Sequence, residues 1–413
     1  MEKNSRLKNK LLLAGCLILY HMFPIFYIPI HRLILDWVGV EVTGQIQAAA
    51  IPGFTIAEAA IRAFFLLPLY NLLLTAKRDG QFWRRARTFY LNSILFYTCI
   101  CFFSYAVLTD AFKTNITIQQ QEEVAAFILS FVVDAAVILF LVYGKVKWIF
   151  LTAISRYVFT FFLDIVLLPR LMERAGAYTQ IIPGLCVGMG MLIVLQSMKT
   201  EEPIKKPERP GQQWVLGAAA GLQSLVRSAC AILIIDKILE MLPNQDVFMI
   251  VGQLHILYIW MPTIVLAEMV RREDNMELIP EYALITVDLY LFNIILIMVS
   301  NVVLEQIFGV TDEETVSAVI SLSLTIAPFY ILYQISSILS SIFIATGKLI
   351  NNLIASAVTC LGYFPISYMM ILLLKPEFTD KMFCYLLGGG LAVNCLCLIS
   401  LYFGQKRKIS SRK

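Results

Sequence analysis

Charge is what this sequence has least of. Asp, Glu, Lys and Arg make up 15% of its 413 residues, against about 25% in an ordinary soluble domain. Hydrophobic residues make up 59%, more apolar side chain than a water-soluble chain of this size can hide, so lipid is its solvent. Histidine is scarce as well: His21, His31 and His255 are the only three. There is no His-plus-acid motif, serine-nucleophile motif, metal-ligand cluster or glycine-rich phosphate loop. A membrane-embedded enzyme, for instance an acyltransferase using His255, therefore has nothing to support it. The nine cysteines all fall in apolar runs and none makes a CxxC pair, so they read as small hydrophobes rather than as disulfide or zinc ligands. The net charge is only +4, and no basic face lies clear of a membrane span, which excludes nucleic acid as a partner. The basic start, Met1 to Lys10, leads into a long apolar run with no small-residue cleavage site, so that run reads as a retained span and not as a signal peptide.

Because polar sequence is so sparse, its longest run stands out. Lys199 to Gln213 holds three prolines, a glycine and mixed charge near the midpoint of the chain. It cannot bury apolar surface and reads as a solvated linker. Six apolar runs of roughly 18 residues or more precede it and six follow. They lie at 11–35, 45–75, 86–108, 123–143, 148–168 and 178–198, then at 214–242, 247–270, 282–307, 315–346, 352–374 and 382–403. The expected fold class is thus an all-α integral membrane protein. Twelve transmembrane helices form two six-helix lobes, residues 1–198 and 214–413, joined by the linker at 199–213 and arranged around a central cleft.

Orientation follows from the basic residues of the connections. Most of the 33 Lys and Arg fall in connections of one side: the N-terminus, 77–87, Lys145 and Lys147, the linker, Arg271 and Arg272, Lys348, and the tail from Lys406. The other side holds Lys113, Arg170, Arg174, Lys375 and Lys381. Both termini and the linker are therefore expected in the cytoplasm, in a plasma-membrane protein. The halves also echo each other. Thr109-Asp110 matches Thr311-Asp312, and Gly144-Lys145 matches Gly347-Lys348, with almost the same separation between the partners of each pair. Each half has an even number of spans, so the repeat is parallel, with its axis along the membrane normal.

Ionisable groups inside spans cost roughly 2.5–3.5 kcal/mol each on insertion scales, so they face protein or water. Glu58 and Arg62 are four apart on one helix face, either as a structural ion pair or as a cavity pair whose Glu accepts a proton. Asp134 is central in the fourth span with no base within a turn. It pairs across helices, with Arg156 of the fifth span the candidate partner, or carries a proton or cation. Arg227 lies near the middle of the seventh span with Gln223 one turn earlier on the same face, positions suited to packing between lobes or to lining a cavity. His21 and His255 are lone histidines on apolar helices, satisfied core groups or titrating groups. Pro24, Pro29, Pro52, Pro68, Pro262, Pro328 and Pro365 are expected to interrupt and kink their spans.

Three short stretches carry a resemblance. Gly221-Leu-Gln-Ser-Leu-Val-Arg-Ser228 resembles the opening helix of the second lobe in the multidrug and toxic compound extrusion (MATE) family. Leu74 through Arg87 resembles that family's basic loop after its second helix, and Ile344-Ala-Thr-Gly-Lys348 its glycine-centred turn after the tenth. The resemblance implies an exporter of organic, often cationic, compounds that works by alternating access and is driven by a proton or sodium gradient. The wider superfamily includes flippases for lipid-linked sugars, and the arginines Arg62, Arg156 and Arg227 favour that alternative for an anionic lipid precursor. The chain departs from the family where many members carry an acid: the first span has His21, and the seventh has Gln223 and Arg227. The expected partners are membrane lipid and a small organic substrate or lipid-linked sugar, with a transported proton or sodium, no bound cofactor and no obligate protein partner.

Overall fold

A computed structural model describes residues 2–23, 27, 30, 34, 37, 52–78, 92–100, 118–171, 182–190, 193–194, 212–273, 279–306, 308–374 and 378–410. Among these residues every regular element is helical. In chain order the helices are α1 (Glu2–His21), α2 (Pro52–Arg78), α3 (92–100), α4 (Ile118–Tyr143), α5 (Val146–Leu171) and α6 (182–190). They continue with α7 (212–239), α8 (245–273), α9 (Ile279–Met298, resumed at Asn301–Gln306), α10 (Glu313–Ala345), α11 (349–374) and α12 (Asp380–Ser410). Seven of the described helices are long and apolar enough to cross a bilayer. Shorter apolar helices lie at Ile128–Tyr143 and Leu284–Met298. More than half of the expected third span, about half of the sixth and most of the second half of the first fall outside the described residues. So does the linker, except for Gln212 and Gln213, which begin α7.

The chain divides into two compact units, Met1–Gly221 and Leu222–Lys413. In the first, α1 packs on α5 and α2 on α4. Leu13, Leu17, Leu69, Leu73, Phe131 and Phe140 are fully buried. Tyr97 stacks flat on Phe131 with ring centroids 3.9 Å apart, beside Phe65. In the second unit α10 is the central post, packed by α8, α9, α11 and α12. Its 33 residues span about 50 Å at 1.5 Å per residue, longer than the ~30 Å hydrocarbon layer. The glycine run Gly388 to Gly390 lets α12 approach closely, since an added methyl group would overlap Phe329, Tyr363 or Phe364. The surface is inside out relative to a soluble protein: Leu284, Leu291, Ile295, Met298 and Val302 of α9 are exposed, as are Leu361, Ile366, Met369 and Leu373 of α11. Such apolar surface suits lipid and not water.

The repeat seen in the sequence has a structural counterpart. Gly144 and Gly347 both hold positive φ, 66° and 70°. After each, the Lys amide donates to the carbonyl five residues back, Lys145 to Phe140 at 2.9 Å and Lys348 to Phe343 at 2.7 Å. Each glycine amide donates three residues back, to Leu141 and Ile344 at 3.1 Å. These are the bonds of a glycine-terminated helix in which only a residue without Cβ sits comfortably. Thr311-Asp312 also has a structural role, because Asp312 caps α10 by accepting from the Thr315 amide at 2.9 Å. Its sequence counterpart at 109–110 lies outside the described residues.

The prolines act in two ways. Pro68 and Pro328 sit inside continuous helices. Pro262 and Pro365 directly follow widened turns, Ile256–Trp260 and Val358–Tyr363, in which the amides of Met261 and Phe364 bond five residues back, to Ile256 and Thr359. A proline lacks the N–H and crowds the carbonyl four residues earlier, and a widened turn relieves that crowding. A third widened turn, Ala231–Ile235, has no proline, and nothing in the sequence marks it. Pro52 departs from expectation, because it opens α2 instead of interrupting it. The first helical position is where proline costs nothing. Pro24 and Pro29 lie outside the described residues.

Candidate functional site

The first unit gathers two of the expected residues, Glu58 and Asp134, around the guanidinium of a third, Arg62. Arg62 Nη1 donates to Glu58 Oε1 at 3.1 Å and to Ser130 Oγ at 3.1 Å. Its Nη2 forms an ion pair with Asp134. The i,i+4 spacing brings Glu58 and Arg62 together on α2, and the packing of α2 on α4 supplies Asp134. Because α2 begins at Pro52, Glu58 lies two turns from the helix start and not at the middle of the span. Two tyrosines complete the shell. Tyr97 donates to Glu58 at 2.5 Å, held there by its stack on Phe131. Tyr20 of α1 donates to Asp134.

From Phe131 to Val142 every residue of α4 is buried except Asp134, whose side chain is 28% exposed. The acid therefore opens onto accessible space in a helix otherwise enclosed by protein. Glu58 is buried. The hydrogen-bonded cluster contains two carboxylates and one guanidinium, so with both acids ionised it holds one negative charge in excess.

The direct partner of Asp134 is Arg62 and not the expected Arg156, which stays within electrostatic range of the acid. Arg62 takes Asp134, because α2 packs directly on α4. Arg156 instead lies over the ring of Phe23, its Cζ 4.3 Å from the centroid, a cation–π contact. His21 is close to the cluster, packed edge-on against Tyr20 at 5.1 Å, but it is Tyr20 that reaches the acid. Asp164 is fully buried and accepts from Tyr27 at 3.3 Å.

The second unit distributes its polar residues differently. Arg227 Nε donates to Ser356 Oγ of α11 at 2.9 Å, and among the described residues no carboxylate pairs with it. Gln223, one turn earlier, is buried with Oε1 unpartnered. His255 Nδ1 bonds the Tyr330 hydroxyl, the rings edge-on at 4.7 Å, while Nε2 is unpartnered. Gln334 is fully buried with neither amide atom bonded. Each widened turn starts within four residues of one of these groups: Ala231 after Arg227, Ile256 after His255 and Val358 after Ser356. The residues that sequence reasoning missed are Tyr20, Tyr97, Ser130 and Ser356. A hydroxyl in an apolar span gives no signal until its partner on another helix is known. Among the described residues no group of three or more His, Cys, Asp or Glu is placed to hold a metal ion.

Apolar spans, a lipid-suited surface and charged clusters inside the helices define a multi-pass membrane protein of two helical units. No family model matches the sequence, and no curated protein is significantly similar to it. Its fold, however, is that of the MATE transporters, twelve transmembrane helices in two lobes. A crystal structure of MATE in complex with MaL6 superimposes with a TM-score of 0.73 at 14% identity, covering 98% of this chain and 96% of that one. A MOP superfamily transporter from Pyrococcus furiosus, described as having a binding pocket of reverse polarity that suggests a different function, matches with the same score, identity and coverage. A multidrug resistance MATE family transporter in an outward-facing conformation matches with a TM-score of 0.69 at 14% identity, over 98% of this chain and 99% of that one.

Proposed function

We propose that the protein is a secondary active transporter, not an enzyme, that exports organic compounds by alternating access in exchange for a proton or sodium ion. The observation that carries this reading is the sharing of one Arg62 by Glu58 and Asp134. Two carboxylates share that one bonded guanidinium, with Arg156 further off but within electrostatic range of Asp134; an ionised acid inside the membrane is costly and is relieved by a bound proton or monovalent cation. Asp134 is the accessible acid and is assigned as the site that loads. Loading it removes the ion pair between α2 and α4 and leaves Arg62 with Glu58 on its own helix. The packing of two helices then depends on whether the ion is bound, which is what coupling requires. The fold it shares with MATE transporters, one of them described as a multidrug resistance protein, supports the same reading. We place the lobes at 1–198 and 214–413 with a linker at 199–213, both termini cytoplasmic and the protein in the plasma membrane.

A second reading is a flippase for an anionic lipid-linked sugar or similar precursor, favoured by Arg227, which has no carboxylate partner among the described residues. The Pyrococcus structure of reverse pocket polarity is a precedent for such a variation on this fold. The test is transport by the purified protein in proteoliposomes under an imposed proton or sodium gradient, with cationic dyes, organic acids and lipid-linked sugars compared. Gradient-dependent movement of a soluble compound is the expected result. Movement of the lipid-linked sugar alone selects the second reading, and no movement of any class under either gradient refutes the transporter.

A further inference from the structure

Arg227 is accessible on the wrong side of its helix for contact with lipid. In α7 the exposed apolar residues Trp214, Val215, Leu222 and Leu225 form the outward stripe. At 3.6 residues per turn Arg227 lies roughly 120–160° around the helix from each of them. Its face is that of the buried residues Ala220, Gln223 and Cys230, yet Arg227 itself is exposed. It is also central in the span Trp214–Leu239, about 20 Å from either end. An exposed guanidinium at that depth, turned away from the lipid stripe, faces accessible space inside the protein.

Its hydrogen bonds are mostly uncommitted. Nε is taken by Ser356, a buried residue that fixes the plane of the guanidinium. Among the described residues the four N–H bonds of the two terminal nitrogens have no partner. They form the fork that accepts a carboxylate or phosphate in two parallel bonds. Gln223 leaves a buried oxygen unpartnered and Gln334 leaves both amide atoms unpartnered, so further polar capacity in the same unit is unspent, against the general rule that buried polar groups are satisfied. Tyr333 lies within electrostatic range of both Arg227 and Arg271 and stacks on Trp260 with centroids 5.9 Å apart. It adds an aromatic surface near the charge.

We infer that the second unit contains an oxyanion-binding subsite in which the Arg227 fork, oriented by Ser356, holds the carboxylate or phosphate of an amphiphilic substrate while Tyr333 packs against its apolar body. The inference rests on the transporter reading for its role and names the class of substrate: a compound with an acidic head and a hydrophobic body. Two sources share that chemistry, a water-soluble aromatic acid and a lipid phosphate.

The test is equilibrium binding to the purified full-length protein in a non-ionic detergent, with no gradient applied. Three probes are used: pyrenebutyrate for the soluble acid, dodecyl phosphate for the lipid phosphate and tetraphenylphosphonium as a cation. At least one anion binds wild type, more weakly at high salt, and Arg227→Gln weakens it about tenfold or more. Arg227→Lys keeps part of the affinity, since it restores the charge but not the fork. Ser356→Ala weakens the anion less than Arg227→Gln does. Tetraphenylphosphonium binding is unchanged or tighter in Arg227→Gln. Binding by pyrenebutyrate alone points to a soluble acid, and by dodecyl phosphate alone to a lipid. Failure of both anions to bind folded wild type, or an anion affinity that is equal in wild type and Arg227→Gln, overturns the subsite. Should Arg227→Gln not fold, Arg227→Lys and Ser356→Ala decide in its place, and unchanged affinity in both is the contrary result. Anion binding that depends on Arg227, in a protein that moves nothing in proteoliposomes, keeps the subsite and sinks the transporter reading. Transport with binding indifferent to Arg227 does the reverse.

Discussion

Arg62 and Arg227 are both arginines of membrane-spanning helices, yet the two units treat them in opposite ways. Arg62 is shared, with two carboxylates and the Ser130 hydroxyl on its two terminal nitrogens. Arg227 gives Nε to Ser356 and, among the described residues, keeps its fork open. An arginine shared by two acids makes a place where a small cation adds charge balance. An open one makes a place where an anion does. The comparison teaches that the number of charges in a span says little, and that the number of partners decides what the site takes. The backbones differ as well: all three widened turns seen among the described residues flank the polar groups of the second unit. The unit with the open site is also the one whose helices depart from regular geometry near it, as functional sites often do.

The largest expected effect separates the two arginines by stability. Arg62→Gln leaves Glu58 and Asp134 facing each other without their cation. Breaking such a pair by removing one partner costs about 3 kcal/mol or more. The variant should melt several degrees below wild type in detergent, and adding Asp134→Asn should recover part of the loss. Arg227→Gln should melt close to wild type, because among the described residues it orphans no buried acid. Equal melting shifts for the two single variants would break the comparison.

The smallest expected effect lies outside the membrane, at the cap of α10. The hydroxyl and amide of Thr315 hold the Asp312 carboxyl below its ordinary range. A depressed acid contributes stability that is fully present above its unfolded value of about 3.9 and is lost as pH falls through the lower folded value. Wild type should therefore lose a small part of its thermal stability below about pH 4. Asp312→Asn, which caps without titrating, should lack that component. Identical acid profiles would remove Asp312 from the account.

Much of this architecture was legible in the chain. Apolar run length places a span wherever lipid is the solvent, so α10 at Glu313–Ala345 matches the expected 315–346 within two residues. Helical period alone joined Glu58 to Arg62. The glycines at 144 and 347 announced their turns because the left-handed conformation there tolerates little else. What was not legible is whatever depends on how one helix is rotated against its neighbour. A single sequence does not give that rotation, so Arg62 and not Arg156 as the partner of Asp134 could not be chosen. Nothing in the sequence sets Tyr20 apart from the chain's other aromatic residues. Pro262 and Pro365 marked two of the three widened turns, but Ala231–Ile235 follows from no residue type.

The central claim is that the cluster in the first unit loads the coupling ion. The most direct measurement is gradient-driven transport by Asp134→Asn in proteoliposomes, read across a range of pH beside wild type. The account predicts that the variant reaches the membrane and still binds substrate in detergent. It also predicts that the variant loses uptake against a concentration difference, and that the pH dependence of wild type disappears. Transport by Asp134→Asn at the wild-type rate over the whole pH range would contradict it.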